Sequence, residues 1–297
     1  MNEKILKKAL LRIDEKRQYA EEKAKNNLLL AYKNPEFKKL YNTKRELEIE
    51  IARREVYGEP VNRKELTLLS QKLEFCLKDM DLNGTDILPN YECKDCSDTG
   101  YINGKPCDCL KAEINKELLN FSGFTHKLAT FEDNNYNNPA YDLMKKWCDV
   151  KSDKTNILIC GHTGTGKTFL TECIASRLIE KYKLVLFTTA FNLNNSMLNY
   201  HISFDSNREN IIKPYLETDV LIIDDLGSEP MLKNVTQEYL YLILNERMLA
   251  KKSTIITTNL MPKDILNTYG ERIFSRLSNK KVSIMINLES DDLRLKK

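Results

Sequence analysis

The chain of 297 residues is 41% hydrophobic and 30% charged, enough apolar material for one nucleotide-binding domain with a smaller module attached. No apolar run reaches the roughly 18 residues that a membrane span requires, and the opening MNEKILKKALLRIDEK is too charged for a secretory signal, so the sequence reads as soluble and cytoplasmic with no membrane partner. The formal charge of +3 is uneven: Met1 to Met80 carries 19 Lys/Arg against 14 Asp/Glu, which suits a solvated helical face or an acidic partner surface and falls short of the basic stripe that announces nucleic acid.

The first 82 residues read as helices. Ile5, Ala9, Ile13, Ala20, Ala24 and Leu28 recur at spacings of four and seven with charges between them. Asn34-Pro35 interrupts the pattern, because proline blocks a helix interior and restricts the residue before it. A second amphipathic stretch with Phe37, Leu40, Leu47 and Ile51 stops at Gly58-Glu59-Pro60, and Leu66, Leu69, Leu73 and Leu77 mark a third helix. A helical hairpin or coiled-coil module for partner binding is expected over 1–82.

The next segment, 83–112, holds four of the eight cysteines. CKDC followed by CDC sets Cys93, Cys96, Cys107 and Cys109 in a C-x2-C…C-x-C arrangement. Four thiolates make a closed tetrahedral site for structural Zn²⁺, and the apolar residues between them (Tyr101, Ile102, Pro106) are too few to order the loop alone. Asp98, Gly100 and Gly104 suit tight turns between the ligand pairs, and Lys94, Lys105 and Lys111 would offset the charge of a four-thiolate centre. An iron–sulfur cluster, free thiols or a disulfide are the competing readings. Cys76, Cys148, Cys160 and Cys173 are scattered and read as small buried hydrophobes.

A linker is expected over 113–152, with the domain boundary near Leu110 to Phe121 and an Asn-rich connector at Glu132 to Asn138. From Asn156 onward short apolar runs (Ile157 to Cys160, Leu184 to Phe187, Val220 to Ile223, Thr254 to Thr257, Val282 to Ile286) alternate with helical patterns. That alternation predicts an α/β domain over 153–297 with a mainly parallel five-stranded sheet.

Two motifs in this domain predict one site. GHTGTGKT, comprising Gly161, His162, Thr163, Gly164, Thr165, Gly166, Lys167 and Thr168, follows the strand NILIC and precedes the amphipathic run FLTECIASRLIEKY. Its glycines let the backbone bend so that N–H groups point at phosphate oxygens, and the following helix adds its positive end. Lys167 is placed on the β- and γ-phosphates of ATP, and the Thr168 hydroxyl on Mg²⁺. VLIIDD then ends an apolar strand in two carboxylates at the sheet edge where ligands of open α/β folds bind. Asp224 is expected to hold Mg²⁺ and Asp225 to polarise the attacking water.

The order GHTGTGKT, LIIDDLGSEP, IITTNL and YGERIFSRL resembles the DnaC/DnaI family of replicative helicase loaders, within the AAA+ ATPases, from about Phe121 to the end; LATFEDN also fits. The resemblance implies that Asn259 orients the lytic water as a sensor residue. It implies that Arg276, with Arg272 behind it, enters the neighbouring subunit's site in a homo-oligomer, and that Arg294 acts in cis as a second sensor; ordinary surface arginines and a solvated tail are the alternatives. It also implies ATP-dependent hydrolysis, single-stranded DNA binding and a hexameric replicative helicase as partner. Many AAA+ ATPases carry Glu where this chain has Asp225, which points to slow hydrolysis, and the uncharged stretch Thr188 to Leu198 lies where initiator-type relatives meet DNA. A transposition helper ATPase of the IstB type and an ATP-binding adaptor with little hydrolysis are the other readings. A nucleoside monophosphate kinase with a four-cysteine lid fits less well, since there the lid follows the P-loop.

Overall fold

Proline 35 and glycine 58 punctuate the first eighty residues into separate helices. The computed structural model describes residues 2–61, 63–134, 138–150, 153, 155–203 and 208–289, and so Arg294 lies outside the described residues. The chain divides into two units, Lys7–Glu113 and Ile114–Lys297 with Met1–Leu6.

In the first unit, helix α1 (Glu3–Ala31) turns into α2 (Pro35–Val56) at Asn34. The Asn34 Oδ1 accepts the otherwise orphaned N–H groups of Glu36 and Phe37, and Pro35 stands at the first helical position where its missing donor costs nothing. Tyr32, Phe37 and Tyr41 pack ring against ring with centroids 5.6 to 6.1 Å apart. Leu73, Cys76 and Leu77 of α3 (Lys64–Lys78) close over Phe37 and Ala31. A two-residue hairpin follows, β1 (Tyr101–Ile102) against β2 (Lys105–Pro106), turning at Asn103-Gly104, both at positive φ. Helix α4 (Asp108–Ser122) begins inside the CDC motif.

The second unit is an α/β sandwich. After a 3₁₀ turn at Phe131–Asp133 and α5 (Pro139–Asp149), five parallel strands form one sheet. They are β3 (Asn156–Cys160), β4 (Val185–Thr189), β5 (Val220–Leu226), β6 (Ser253–Thr258) and β7 (Ser283–Asn287), in the order β4-β5-β6-β3-β7. The connections run through α6 (Lys167–Glu180), α7 (Ala190–Ile202), α8 (Arg208–Glu217), α9 (Thr236–Leu249), α10 (Pro262–Tyr269) and α11 (Glu271–Ser278). β3 is buried at every position, as a central parallel strand covered on both faces must be. Leu158, Ile223, Ile256, Leu240, Leu244 and Ile273 belong to one continuous core. Among the described residues, no helix is long and apolar enough to cross a membrane.

Two features at opposite ends of the sheet matter. β5 does not end at its aspartates but runs on to Leu226, and its register against β6 shifts between Ile223 and Leu226. The extra residue is a bulge, with Asp225 at φ 59°. At the other end of the strands, Arg247 is fully buried and donates to the carbonyls of Tyr215, Thr218 and Ser253 and to the hydroxyl of Thr254. Burial pushes this guanidinium down to about 10, and the ring of oxygens is what keeps the charge tolerable inside the protein.

Candidate functional site

The carboxyl ends of β3, β5 and β6 converge on one cleft of about 460 Å³, lined by Thr163, Gly164, Gly166, Lys167, Thr168, Phe169, Asp224, Asp225, Thr257 and Asn259. The P-loop runs from β3 into α6. Gly164 and Gly166 take φ of 84° and 88°, open to glycine at little cost, and Gly166 is the N-cap of α6. A Cβ on Gly161 would stand 2.6 Å from the Leu288 carbonyl oxygen, so the first glycine is required by packing. The exposed His162 contributes its carbonyl, which accepts from the Thr165 hydroxyl at 2.9 Å and holds the turn; Thr165 itself is buried.

The Lys167 ammonium is 2.8 Å from the carbonyls of Gly161 and His162 and 2.6 Å from Asn259 Oδ1. The other end of that amide, Asn259 Nδ2, donates to Asp225 Oδ1 at 2.8 Å. Thr168 Oγ1 lies 3.2 Å from Asp224 Oδ2, close enough for hydroxyl and carboxylate to share one Mg²⁺. Thr257 pins both acids: its hydroxyl donates to Asp224 Oδ1 at 2.6 Å and accepts the Asp225 N–H at 2.9 Å. That second bond replaces the ladder partner lost at the bulge. Glu229 is turned out of the cleft, accepting from the Gly227 N–H and the Tyr269 hydroxyl.

The expected nucleotide-site residues are thus brought together, and three more join them. Thr257 lies inside TIITT, where strand propensity alone explains a threonine. Phe169 lines the cleft and packs 6.1 Å from Tyr141, whose hydroxyl reaches the Gly166 carbonyl at 3.4 Å. Tyr141 lies on α5, in the stretch that reads as linker, and no sequence motif marks it.

Arg276 and Arg272 do not line this cleft. Arg276 lies over the Tyr241 ring, 4.2 Å from its centroid, and bonds Asn245; Arg272 is exposed.

The four clustered cysteines meet as well. Their sulfurs all lie within 4.8 Å of one another, with Cys93–Cys107 at 3.7 Å and Cys96–Cys109 at 3.4 Å. A tetrahedral zinc with bonds of about 2.3 Å sets sulfurs about 3.8 Å apart, so the donor set fits a single ion. Burial opposes ionisation of Cys96, yet hydrogen bonds from Cys109 and the Gly100 N–H draw its thiol down to about 7, while burial and the bond to Cys96 push Cys109 up. Sulfurs this crowded resist ionising together, a conflict that a divalent cation relieves. Asp98, buried, accepts the N–H groups of Cys93 and Glu92 at 2.8 Å and fixes the first knuckle. Lys16 of α1 bridges Glu92 and Glu113, the acids flanking the segment, at 2.8 and 3.0 Å. The scattered cysteines differ: burial pushes Cys148 and Cys173 up to about 12, as befits thiols serving as apolar filler.

Residues 114–296 match the family described as IstB-like ATP binding protein. The chain belongs to that family. Within it the sheet order and the shared cleft are those of an AAA+ P-loop core that binds ATP. Among curated proteins, YdaV of Escherichia coli (strain K12), described as uncharacterized, is 27% identical over 172 residues, 55% of this chain and 68% of its own length. The replicative helicase loader DnaI of Bacillus subtilis (strain 168) is 28% identical over 137 residues, 44% of this chain. The chain spans only 42% of DnaI. A crystal structure of the DnaC helicase loader aligns with a TM-score of 0.48 at 22% identity, over 54% of this chain and 97% of that one.

Proposed function

We propose that this protein is an ATPase that helps load a hexameric replicative helicase onto single-stranded DNA. The observation that carries the reading is the meeting of Lys167, Thr168, Asp224, Asp225 and Asn259 around one cleft. The order of motifs and the similarity to DnaI support the loader assignment within the family.

On this reading a triphosphate takes the place of the oxygens now bound to Lys167, and the P-loop amides and α6 face its phosphates. Thr168 and Asp224 hold Mg²⁺, which neutralises charge on the phosphate oxygens. Asp225 accepts the proton of the attacking water, and Asn259, released from Lys167, orients that water. Arg276 of one subunit, or failing it Arg272, meets the phosphates bound to the next subunit of a homo-oligomer, and Arg294 serves its own site. Cys93, Cys96, Cys107 and Cys109 hold a structural Zn²⁺ in the segment beside α1, and the helices before it bind the helicase.

The family match favours a second reading, a helper ATPase for a transposase. One experiment separates them: capture of partners by the full chain with ATP, followed by identification of what is retained. A hexameric helicase retained with ATP and lost with Lys167→Ala supports the loader. A transposase retained instead overturns it. ATP turnover by the purified protein that disappears in Asp225→Asn tests the chemistry separately.

A further inference from the structure

The side chain proposed to act on the neighbouring subunit is already held by its own. All three nitrogens of Arg276 are engaged. Nε and Nη2 both reach Asn245 Oδ1, at 3.2 and 2.8 Å; Nη2 also donates to the Tyr241 hydroxyl at 2.8 Å; Nη1 reaches the Arg272 carbonyl at 3.1 Å. The guanidinium carbon lies over the Tyr241 ring, 4.2 Å from its centroid.

Tyr241 and Asn245 are four residues apart on α9, so they share one face, while Leu240, Ile243 and Leu244 of the same helix are buried in the core. The backbone of Arg276 is fixed too: its carbonyl accepts from Asn156 Nδ2 at 3.2 Å and from the Ser283 hydroxyl at 3.1 Å. Asn156 is the first residue of β3, the strand that runs into the P-loop. Main chain and side chain are therefore both anchored to elements that the core makes rigid.

We infer that Tyr241 and Asn245 are positioning residues that hold Arg276 in a preset orientation for the phosphates of an adjoining copy of this chain. The inference rests on the reading of Arg276 as the arginine offered across the subunit boundary. An exposed arginine ordinarily samples many rotamers, and each must be given up when it meets a phosphate. A planar cation held over a ring and tied to an amide oxygen has surrendered that freedom beforehand. Asn245 and Tyr241 are neutral, so they orient the cation without cancelling the charge that a phosphate would meet, as a carboxylate in their place would.

The test is steady-state ATP turnover by the full chain, wild type against Arg276→Ala, Asn245→Ala and Tyr241→Phe. A second arm mixes Asn245→Ala with Asp225→Asn, a subunit whose own site is silent but whose Arg276 is intact. The expected result is a kcat roughly ten- to a hundredfold lower in Asn245→Ala, with KM for ATP unchanged. A smaller loss is expected in Tyr241→Phe, which keeps the ring. Mixing should restore turnover, because each Asp225→Asn subunit lends a correctly held arginine to its neighbour. Normal kcat in Asn245→Ala and Tyr241→Phe, alongside a large loss in Arg276→Ala, overturns the inference and leaves the arginine's role standing. Normal kcat in Arg276→Ala removes that role and the inference with it. A loss in Asn245→Ala that mixing does not restore assigns Asn245 to the fold of its own subunit and also overturns the inference.

Discussion

The nucleotide cleft gathers polar side chains from distant parts of the sequence, the cysteine cluster gathers four thiols from one short segment, and the two are ordered by opposite means. Around the cleft, Asp224, Asp225 and Asn259 sit at the ends of β5 and β6, strands paired on both sides, and Lys167 and Thr168 open the helix that follows β3. β3 runs in register with β6 over five residues, from Asn156 beside Thr254 to Cys160 beside Thr258, and with β7 over five more. Among the residues that line the cleft, positive φ is confined to Gly164, Gly166 and Asp225. Around the cysteines, Ser97, Asp98, Gly100, Asn103 and Gly104 all take positive φ, and the only sheet is a hairpin two residues long. Leu110 and Ile13 pack beside Gly100. The cleft is shaped by the core before any ligand arrives. The cluster has donors and turns, and on the zinc reading an ion would supply most of its cohesion.

That contrast can be broken most decisively by removing the metal. A chelator, or Cys93→Ser with Cys96→Ser, should eliminate about one zinc per chain and with it roughly 10–16 kcal/mol of apparent binding free energy. Hydrogen exchange over residues 90–110 should rise to the unprotected rate, while ATP affinity of the P-loop unit stays within about twofold. Continued protection of the segment without metal would show that the chain orders it unaided.

The next largest effect belongs to the cleft. Lys167→Ala should weaken ATP binding by roughly a hundredfold or more through loss of a charge-assisted contact, with the circular dichroism spectrum unchanged. Unfolding of the variant would break the comparison from the other side. Asn259→Ala should lower kcat about a hundredfold while nucleotide affinity changes only a few-fold, as expected for a group that acts when charge develops. Equal losses in both quantities would assign the amide to binding alone. Last, Asp98→Ala should reduce zinc affinity by about 10- to 100-fold, since it removes the acceptor that holds the Cys93 and Glu92 amides. Competition with a chromogenic chelator reads this directly.

Much of the architecture was legible because its signals are local. The P-loop spacing, the apolar runs of the strands and the stops at Pro35 and Gly58 each lie within a few residues. The sequence-based strand limits fall within a few residues of the observed ones, and the largest difference is in β5, which extends past its acids because the bulge lets pairing resume at Leu226. What could not be read locally depends on contacts across long separations. Thr257 pins acids 32 and 33 residues away, and Asn245 holds a guanidinium 31 residues on. Nothing in TIITT or in YLYLILNERM distinguishes such a residue from an ordinary helix or strand position. The hairpin at Tyr101–Pro106 was hidden because two-residue strands carry no periodicity.

The bent end of β5 also bears on the choice of acid there. A left-handed backbone costs an ordinary L-residue about 1–2 kcal/mol, and aspartate is among the few side chains that visit it routinely. Asp225 lives in that conformation, so the short carboxylate and the kinked strand are one trait seen from two sides. Lengthening the side chain to glutamate at this position would gain reach but forfeit the local compatibility that lets the main chain turn. The reach of the carboxylate and the path of the strand are therefore tunable only as a pair.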